Sequence, residues 1–574
     1  MNFTSRYLIP FVLLVHLVAC EGDREQQSDG ELPADLVILG GDVQTMDAST
    51  PKASAVAARD GRITYVGDDA GATRLVGPET KVLRAGGVTV LPGLIDSHIH
   101  AADGAVGLGG CSLDGKQLTL DAATQVIRRC LAEDRGPGWL VVGEVNSAGF
   151  KADRRALDAI AAERPLFLWG ADGHTGWVNT RGLALAGITR DTRDPPDGRI
   201  ERDASGQPTG FLVDGGLAPV LASLEKPTPQ KRLQALRDFL PQLHAAGITS
   251  YLEANTGAET VAAYAELARL RELTARVSIA LSSDGIVTDE EFRRLDGLRR
   301  TVAQEPLLRV DFIKLFADGV MEYPTQTAAM LEPYNNTDGA PGTSRGRLYI
   351  DPQTLERFIR HADAEGFNVH IHAIGDAAVR ASLDAIAAAR AAGSKRLYSI
   401  AHLQAIARED LPRFAQLDVF PSAQLFWALP DNYSVDAVLP YIGKERQQRM
   451  YPARSLIAAG ATIAGGSDWD VSTFNPFEAM AVGMSRINPD EPQRGALNAS
   501  EALTLDELLH AYTINAARLM GREAEIGSLT PGKAADVIVL DRSLGTQTTA
   551  DEVRATKVTR MFLGGKEVAP AGAR

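Results

Sequence analysis

The chain contains little cysteine and comparatively little positive charge. Only three cysteines occur among 574 residues, and no Cys-x-x-Cys pair exists, which excludes the cysteine-based zinc motifs. The formal net charge is -14, from 59 Lys and Arg against 73 Asp and Glu. Because nucleic acids and anionic membrane surfaces attract clustered positive charge, we expect neither as a partner. The apolar content of 45% is typical of a globular protein, and the length exceeds that of one ordinary domain.

The first twenty residues have the pattern of an export signal. Arg6 precedes an apolar run over residues 7–18, which is too short to span a bilayer permanently. The residues before Cys20 resemble the lipobox of bacterial lipoproteins, which implies cleavage before Cys20 and acylation of its thiol. A plain secretory signal or an uncleaved anchor is the alternative. The sequence thus predicts a signal peptide over residues 1–20 and a polar linker over residues 21–33.

The lipobox implies a cell-envelope protein that is anchored by lipid to the outer or inner membrane. Glu21 stands where lipoproteins retained in the inner membrane usually carry aspartate, which favours the periplasmic face of the outer membrane. Cys111 and Cys130 are then the remaining cysteines, and an oxidising compartment would allow them to pair. Their spacing does not show whether their Cα atoms approach closely enough.

Both ends of the remaining chain contain short β-runs that are separated by glycine turns. Residues 36–39 are followed by Gly40 and Gly41, and residues 535–540 and 558–563 show the same pattern of short β-runs near the C-terminus. We therefore predict one composite β-sandwich domain built from residues 34–90 and 520–574.

The middle of the chain, residues 91–519, alternates short apolar strands with helical stretches. Eight such units predict an α/β fold with a (β/α)8 TIM-type barrel. The interval of about residues 101–247 is too long for a normal first crossover, and we predict that it forms an inserted lid subdomain over the mouth of the barrel. The eight predicted strands are residues 90–98, 248–253, 277–281, 310–316, 368–372, 398–402, 419–423 and 462–467.

Metal-ligating side chains recur at the ends of these strands. His98 and His100 are two residues apart, so a strand directs both imidazoles to one face. Two histidines on a solvated strand face would be the simpler interpretation, but the fifth strand ends in His372, the sixth in His402, and Asp468 follows the eighth. Since active sites of such barrels lie at the carboxyl ends of the strands, these side chains predict a metal site.

Two positions in this pattern have alternatives. Lys314 lies within an apolar strand, where an ammonium group is costly unless it is paired or neutralised. Reaction with carbon dioxide would convert it to a carbamate that can bridge two cations, whereas a salt bridge to Asp311 or Asp318 is the other interpretation. On the fifth strand His370 shares a face with His372, and we favour His372 because it comes later.

Seven motifs together resemble the amidohydrolase superfamily, in the lid-inserted branch (amidohydrolase family 3) that includes N-substituted formamide deformylases. The resemblance covers nearly everything from residue 36 onward. The motifs are Leu-Pro-Gly-Leu-Ile-Asp-Ser-His-Ile-His at 91–100, Asp-Gly-His at 172–174, Lys-Leu-Phe-Ala-Asp-Gly at 314–319, His-Ala-Ile-Gly-Asp at 372–376, His402 with Gln404, Gly-Ser-Asp at 466–468 and Leu-Thr-Pro-Gly-Lys-Ala-Ala-Asp at 529–536.

The resemblance implies a divalent metal site with one or two ions. His98, His100 and Asp468 would hold one ion, His372 and His402 would hold a second or join a mixed site, and the Lys314 carbamate would bridge. Zinc fits this nitrogen-rich set best. Asp468 would also transfer protons during hydrolysis by metal-activated water, although it can instead be a ligand alone.

Further residues are expected around the substrate. His174, in the insertion, would stabilise an oxyanion or orient the substrate, or else satisfy loop backbone. Asp318, Tyr334, Trp427 and Trp469 are predicted lining residues.

The resulting prediction is a metal-dependent hydrolase that cleaves a C-N amide-type bond of a small N-acyl, formamide or related substrate, other than an ordinary peptide bond. Hydrolysis of an ester, lactone or cyclic amide at the same site is the alternative within enzymes. A surface-anchored binding protein without catalysis is the alternative of another class, and the complete set of six metal-site side chains argues against it.

Overall fold

The computed structural model describes residues 32–148 and 150–568. The predicted signal peptide, the acylation site at Cys20 and nearly all of the predicted linker lie outside these described residues. Within the described ranges, no helix is both long enough and apolar enough to cross a membrane.

The described chain alternates strands and helices along most of its length. The strands are β1 (Leu36–Leu39), β2 (Asp42–Gln44), β3 (Lys52–Ala53), β4 (Ala55–Arg59), β5 (Arg62–Gly67), β6 (Lys81–Arg84), β7 (Thr89–Pro92), β8 (Leu94–Ile99), β9 (Cys111–Ser112), β10 (Leu140–Val145), β11 (Leu166–Gly170), β12 (Thr175–Val178), β13 (Gly198–Arg202), β14 (Pro208–Asp214), β15 (Ile248–Thr256), β16 (Arg276–Ser282), β17 (Leu308–Phe316), β18 (Asn368–Ala373), β19 (Tyr398–His402), β20 (Val419–Ala423), β21 (Ala464–Gly465), β22 (Val537–Leu540), β23 (Val558–Leu563) and β24 (Lys566–Val568). The α-helices are α1 (Asp69–Thr73), α2 (Ala101–Gly107), α3 (Leu120–Glu133), α4 (Arg154–Asp158), α5 (Thr180–Leu185), α6 (Ala218–Ser223), α7 (Pro229–Ala245), α8 (Ala258–Arg269), α9 (Asp289–Thr301), α10 (Pro352–Ala364), α11 (Asp376–Ala391), α12 (Leu411–Gln416), α13 (Leu439–Gln447), α14 (Ala453–Ala458), α15 (Pro476–Ser485), α16 (Leu505–Ala511), α17 (Ile514–Leu519) and α18 (Ala550–Arg554).

Eight parallel strands form the central sheet, which confirms the predicted α/β barrel fold. They follow one another in the order β8, β15, β16, β17, β18, β19, β20 and β21. Most of them are buried along their full length, as expected for strands covered by helices on the outside. The helices begin where local sequence specifies it: Thr228 and Asp351 accept backbone N–H bonds at the starts of α7 and α10, and each is followed by a proline.

The first and last barrel strands meet through a side chain. Asp96 on β8 accepts hydrogen bonds through Oδ1 from the backbone N–H of His98 and from that of Ser467, each at 3.0 Å. The backbone N–H of Asp468 also donates to the carbonyl of His98 at 2.8 Å. Because β21 has only two residues, this buried carboxylate supplies bonds that a longer strand would have supplied.

The predicted strand over residues 90–98 is two strands, so that expectation was wrong in detail. β7 ends at Pro92 and pairs with β2 and β22, whereas β8 starts at Leu94 and pairs with β15. Gly93 lies between them, and a Cβ at this position would come within 2.2 Å of Oγ1 and Cγ2 of Thr249. The chain can therefore pass from the small sheet into the barrel only where a side chain is absent.

We expect Gly93→Ala to lower the free energy of unfolding by about 1–3 kcal/mol, because the added methyl group overpacks this junction. Denaturant titration measures the change. Gly297→Ala on the exposed face of α9 is the matched control, since no atom lies within 4 Å of its Cβ position and alanine favours a helix. Equal stability of the Gly93→Ala variant and the parent would contradict this account of the junction.

Residues from the two ends of the described chain form two β-sheets, and the second sheet combines strands from both ends. One sheet has the order β5, β4, β1, β6, and the other has the order β24, β23, β22, β7, β2, β3. Side chains of both sheets, including Leu36 and Ile38 from the first and Val537 and Phe562 from the second, form one apolar core. Residues near both termini thus pack together beside the barrel.

The insertion between β8 and β15 has its own six-stranded sheet, in the order β13, β14, β12, β11, β10, β9. Cys111 of β9 and Cys130 of α3 form a disulfide, with their Cα atoms 5.9 Å apart. The insertion contacts loops after two barrel strands: the Ser147 N–H donates to the Tyr433 hydroxyl at 3.0 Å, and Arg199 donates to the carbonyl of Pro324 at 2.7 Å. These contacts hold the insertion, hereafter the lid, over the carboxyl end of the barrel.

Candidate active site

Three predicted ligands meet at the carboxyl ends of the first and last barrel strands. Oδ1 of Asp468 lies 2.9 Å from Nε2 of His98 and 3.2 Å from Nε2 of His100. The ligand atoms of these three residues all lie within 4.8 Å of one another. His98 and His100 are brought to one side by their positions at the end of β8, and Asp468 stands three residues after the end of β21.

The charge states in this cluster follow from burial and from the neighbouring side chains. Burial, together with the charge of Lys314, lowers the pKa of His98 to about 3, so its imidazole is neutral. Burial by itself would raise the pKa of Asp468, but the adjacent histidines hold it well below its usual range. The cluster therefore presents an ionised carboxylate and a neutral imidazole, which are the forms that bind a metal.

Lys314 lies beside this cluster without a carboxylate partner. Its Nζ is 3.3 Å from Nε2 of His98, and no ion pair among the described residues includes it, so the alternative of a salt bridge to Asp311 or Asp318 was wrong. Burial is the main reason that its pKa is lowered to about 7, against the opposite influence of Asp468. With this pKa, a substantial fraction of the amine is uncharged near neutral pH, whereas an ordinary lysine is almost fully protonated there.

His372 and His402 extend the cluster on one side. Their ring centroids are 4.4 Å apart, and the His402 ring is 4.9 Å from the His98 ring. Nδ1 of His402 lies 3.9 Å from Oδ2 of Asp468. The structure thus brings all five predicted protein ligands other than Lys314 into one group, in which His100 is half-buried and the other four are buried, with Lys314 in contact with its first member.

The hydrogen bonds on the outer nitrogens show that these histidines suit a cation. Nδ1 of His100 lies 3.1 Å from the carbonyl of Ala254, and Nε2 of His372 lies 3.1 Å from the carbonyl of Gly319. A carbonyl only accepts, so each outer nitrogen carries a proton, and a neutral ring then has its lone pair on the inner nitrogen. Burial disfavours the charged form of His100, but the contact with Asp468 and its charge outweigh this and raise the pKa of His100. In the neutral form its lone pair faces the Asp468 carboxylate, an arrangement that a cation between them would stabilise.

A second pair of charged side chains lies on the lid. Nδ1 of His174 is 2.5 Å from Oδ1 of Asp214, and the His174 ring centroid is 5.5 Å from that of His372. Burial disfavours the charged form of His174, but the hydrogen bond to Asp214 and its charge outweigh this and raise the pKa of His174 to about 8. Asp214 also has the uncommon backbone angles φ 51° and ψ −124° at the end of β14.

The four predicted lining residues have different surroundings. The half-buried Trp427 stacks on His402 at 5.3 Å, so it does lie beside the cluster. The Trp469 ring packs instead against Phe239 at 4.1 Å. Asp318 is fully buried behind His372 and accepts backbone N–H bonds from Ala329, Ile374 and Gly375. The buried Tyr334 hydroxyl donates to the carbonyl of Ala328. Among these four side chains, the Trp427 ring is the one that stacks on a ring of the cluster.

Two residues of the site were not assigned any role from the sequence, and a third was considered only in a different role. Asp214 lies forty residues from its partner His174, and no motif marks it; only the pairing of β12 with β14 brings the two together. Asp96 stands in the Leu-Ile-Asp-Ser-His motif, where its bonds to both barrel edges were not apparent. His370 was considered only as an alternative ligand, and it contacts His98 from below.

The comparisons with known proteins agree with this geometry. The family model described as "Amidohydrolase family" matches residues 81–569. N-substituted formamide deformylase of Arthrobacter pascens is 30% identical over 552 residues, covering 92% of this chain and 97% of that protein. Protein LONG AFTER FAR-RED 3 of Arabidopsis thaliana is 29% identical over 555 residues, covering 94% of this chain and 92% of that protein.

Solved structures show the same fold. The crystal structure of an uncharacterized metal-dependent hydrolase from Pyrococcus furiosus superposes with a TM-score of 0.67 and 24% sequence identity, covering 88% of this chain and 99% of that chain. With the family match over most of the chain and the cluster of His98, His100 and Asp468, the chain belongs to the amidohydrolase family and is a metal-dependent hydrolase of carbon–nitrogen bonds.

Proposed function

We propose that this protein hydrolyses an N-acyl or N-formyl bond in a small molecule. The observation that carries the proposal is the contact of one buried carboxylate oxygen of Asp468 with Nε2 of both His98 and His100. The similarity to N-substituted formamide deformylase, which extends over 92% of this chain, supports the choice of a non-peptide C-N bond. An ester, lactone or cyclic amide with a similar carbonyl is the second candidate, because the same hydrolytic groups would act on it.

Each ligand-capable residue has a place in this proposal. His98, His100 and Asp468 would hold one divalent cation, and His372 and His402 would hold a second or complete a mixed site. Zinc suits the imidazole-rich set best. When bound, the cation polarises the scissile carbonyl and lowers the pKa of water.

Lys314 is proposed to carry a carbamate. Its buried amine touches His98 and has no carboxylate partner, so formation of an anion by reaction with carbon dioxide would supply the charge that an extra cation requires. In protein incubated with ¹³C-bicarbonate, a labelled carbamate signal that is absent from Lys314→Met is the expected result. Equal signals from both proteins would contradict the carbamate.

Asp468 and His174 are proposed to act on the reacting atoms. The Asp468 carboxylate takes a proton from the attacking water and returns it to the departing amine, a role typically worth about 10²- to 10⁴-fold in rate. His174, held through Nδ1 by Asp214, presents Nε2 for the carbonyl oxygen, on which negative charge develops. Trp427, stacked on His402, gives the pocket an apolar wall.

We expect Asp214→Asn to reduce kcat by about 10- to 100-fold, because the amide no longer balances a positive charge on His174 and no longer fixes its orientation. Steady-state kinetics of the purified parent and variant proteins measures kcat, and Asp197→Asn in the neighbouring loop is the control. A change in KM alone, with kcat unaltered, would show that Asp214 only shapes the binding surface.

The substrate class is tested directly with a panel. Zinc-loaded protein is incubated with N-formyl amines, N-acyl amino acids, dipeptides, esters and lactones, and amine or acid release is measured. Preferential release from the formyl or acyl amides is the expected result. Faster turnover of the esters or lactones would favour the second candidate, and no turnover of any member by metal-replete protein would overturn the proposal.

Export to the cell envelope is part of the same proposal. The lipobox at Cys20 motivates it, and the Cys111–Cys130 disulfide supports it because such bonds persist in oxidising compartments. When cells are grown with an alkyne-labelled fatty acid, the parent protein should be labelled and the Cys20→Ser variant should not. The labelled protein should fractionate with the outer membrane. Unlabelled protein in the cytosolic fraction would contradict this location.

A further inference from the structure

We propose that His370 and Ser399 are positioning residues that tune the metal affinity of the site: His370 accepts the hydrogen bond that the Nδ1–H of His98 donates, and Ser399 accepts the hydrogen bond that His370 donates in turn. The inference rests on the proposed metal site and names residues that set its strength. Neither residue contacts the cluster centre, and neither was predicted to be a ligand in preference to His372.

The geometry is a chain of three buried side chains. Nδ1 of His98 lies 2.7 Å from Nε2 of His370, and Nδ1 of His370 lies 2.6 Å from Oγ of Ser399. The three residues stand on β8, β18 and β19, and each is 0% exposed. Water cannot replace any member of this chain, so the partners must satisfy one another.

The direction of these bonds is set by the inner nitrogen of His98. If Nε2 offers a lone pair to a cation, the ring proton is on Nδ1, and Nε2 of His370 must accept it. His370 then carries its own proton on Nδ1, and the Ser399 hydroxyl must accept that one. The opposite direction, in which the Ser399 hydroxyl donates to His370 and His370 donates to His98, also satisfies these groups, but it places the His98 proton on Nε2 and leaves no lone pair for a cation. A bound cation therefore selects the first direction.

Two of the other three histidines in the proposed ligand set have backbone acceptors instead. His100 and His372 donate to the backbone carbonyls of Ala254 and Gly319, which can never reverse the bond. His98 instead donates to the imidazole of His370, in which either nitrogen can carry the proton while the other accepts. Whether Nε2 of His370 can accept a hydrogen bond therefore depends on the partner of its other nitrogen, Nδ1. That partner is the hydroxyl of Ser399.

A loss of either residue has a defined cost. Without His370, the Nδ1–H of His98 would lack an acceptor in a dry interior. Without Ser399, either the Nδ1–H of His370 is left unsatisfied or the ring adopts the other tautomer and opposes His98. Partners of this kind behind metal-binding histidines typically change metal affinity by about 10- to 100-fold.

The test measures zinc affinity of the full chain by competition with a series of chelators, independently of activity. We expect zinc to bind His370→Leu about 10- to 100-fold more weakly than the parent, and His370→Gln, which keeps an acceptor near the position of Nε2, to recover part of that loss. Ser399→Ala should weaken binding in the same direction. Ser382→Ala is the matched control, since it removes a buried hydroxyl on α11 that donates at 2.8 Å to a helix carbonyl.

A double variant separates positioning from packing. Because Ser399 acts through His370, Ser399→Ala should have almost no further effect on zinc affinity in the His370→Leu background. Thermal melting of the metal-free proteins checks that the fold persists. If His370→Leu does not fold, the comparison of Ser399→Ala with Ser382→Ala still decides the question.

Three results would overturn the inference: parent-like zinc affinity of His370→Leu, equal affinities of Ser399→Ala and Ser382→Ala, or an undiminished effect of Ser399→Ala in the double variant. Failure of the parent protein to bind zinc or another divalent metal would instead overturn the proposed function. The two failures are therefore distinguishable.

Discussion

Asp468→Asn is expected to reduce kcat by about 10²- to 10⁴-fold while the protein remains folded. The substitution preserves the shape of the side chain but removes the negative charge that contacts His98 and His100, and with it the group that we propose carries the proton. Zinc-loaded variant and parent are compared with the substrate that the panel identifies, and circular dichroism reports the fold.

Asp506→Asn is the matched control for this change. Asp506 lies on α16 with its side chain 79% exposed, so the same substitution there should leave kcat unchanged. If Asp468→Asn kept the parental rate with a full complement of metal, Asp468 would be neither the proton carrier nor an essential ligand. A rate lost in proportion to lost metal would assign Asp468 the ligand role alone.

His98→Ala is expected to abolish hydrolysis by removing the side chain that contacts the most other members of the site. Its Nε2 touches both Asp468 and Lys314, and its Nδ1 touches His370. We expect less than one tightly bound divalent ion per chain after removal of free metal, measured by elemental analysis alongside the parent. If the metal content falls in this way, the loss of activity is explained by the loss of metal.

His510→Ala serves as the control for the second prediction. His510 is a partly exposed histidine on α16 and lies outside the cluster, so metal content and rate should match those of the parent. Full activity of His98→Ala would contradict the assignment of the site. Normal metal content with no activity would instead show that the remaining ligands suffice for binding but not for catalysis.

Much of the fold could be predicted because its signals are local. The strands over residues 398–402 and 419–423 were predicted with the bounds that the structure has, since each is a short apolar run buried on both faces. His98, His372 and His402 were recognisable because strand ends of a barrel converge. A periodic pattern and one topological rule were enough to bring these residues together.

The remainder depends on contacts that no local pattern contains. The break at Gly93 arises from Thr249 on the neighbouring strand, which is far away in sequence. The pairing of His174 with Asp214 needs the register of two lid strands, and the role of His370 needs the depth at which each side chain lies inside the barrel. These are properties of packing between distant segments, so they appear only with the coordinates.

The bonds of Asp96 to both edges of the barrel have a consequence for inactivation. β21 is the shortest strand of the barrel, and the proposed ligands His98 and Asp468 stand on opposite sides of the seam between β8 and β21. Opening there would pull the ligand set apart while the other seven strand pairings and their helices remained intact. We therefore expect the catalyst to be inactivated by local opening beside Asp96 before the whole barrel unfolds.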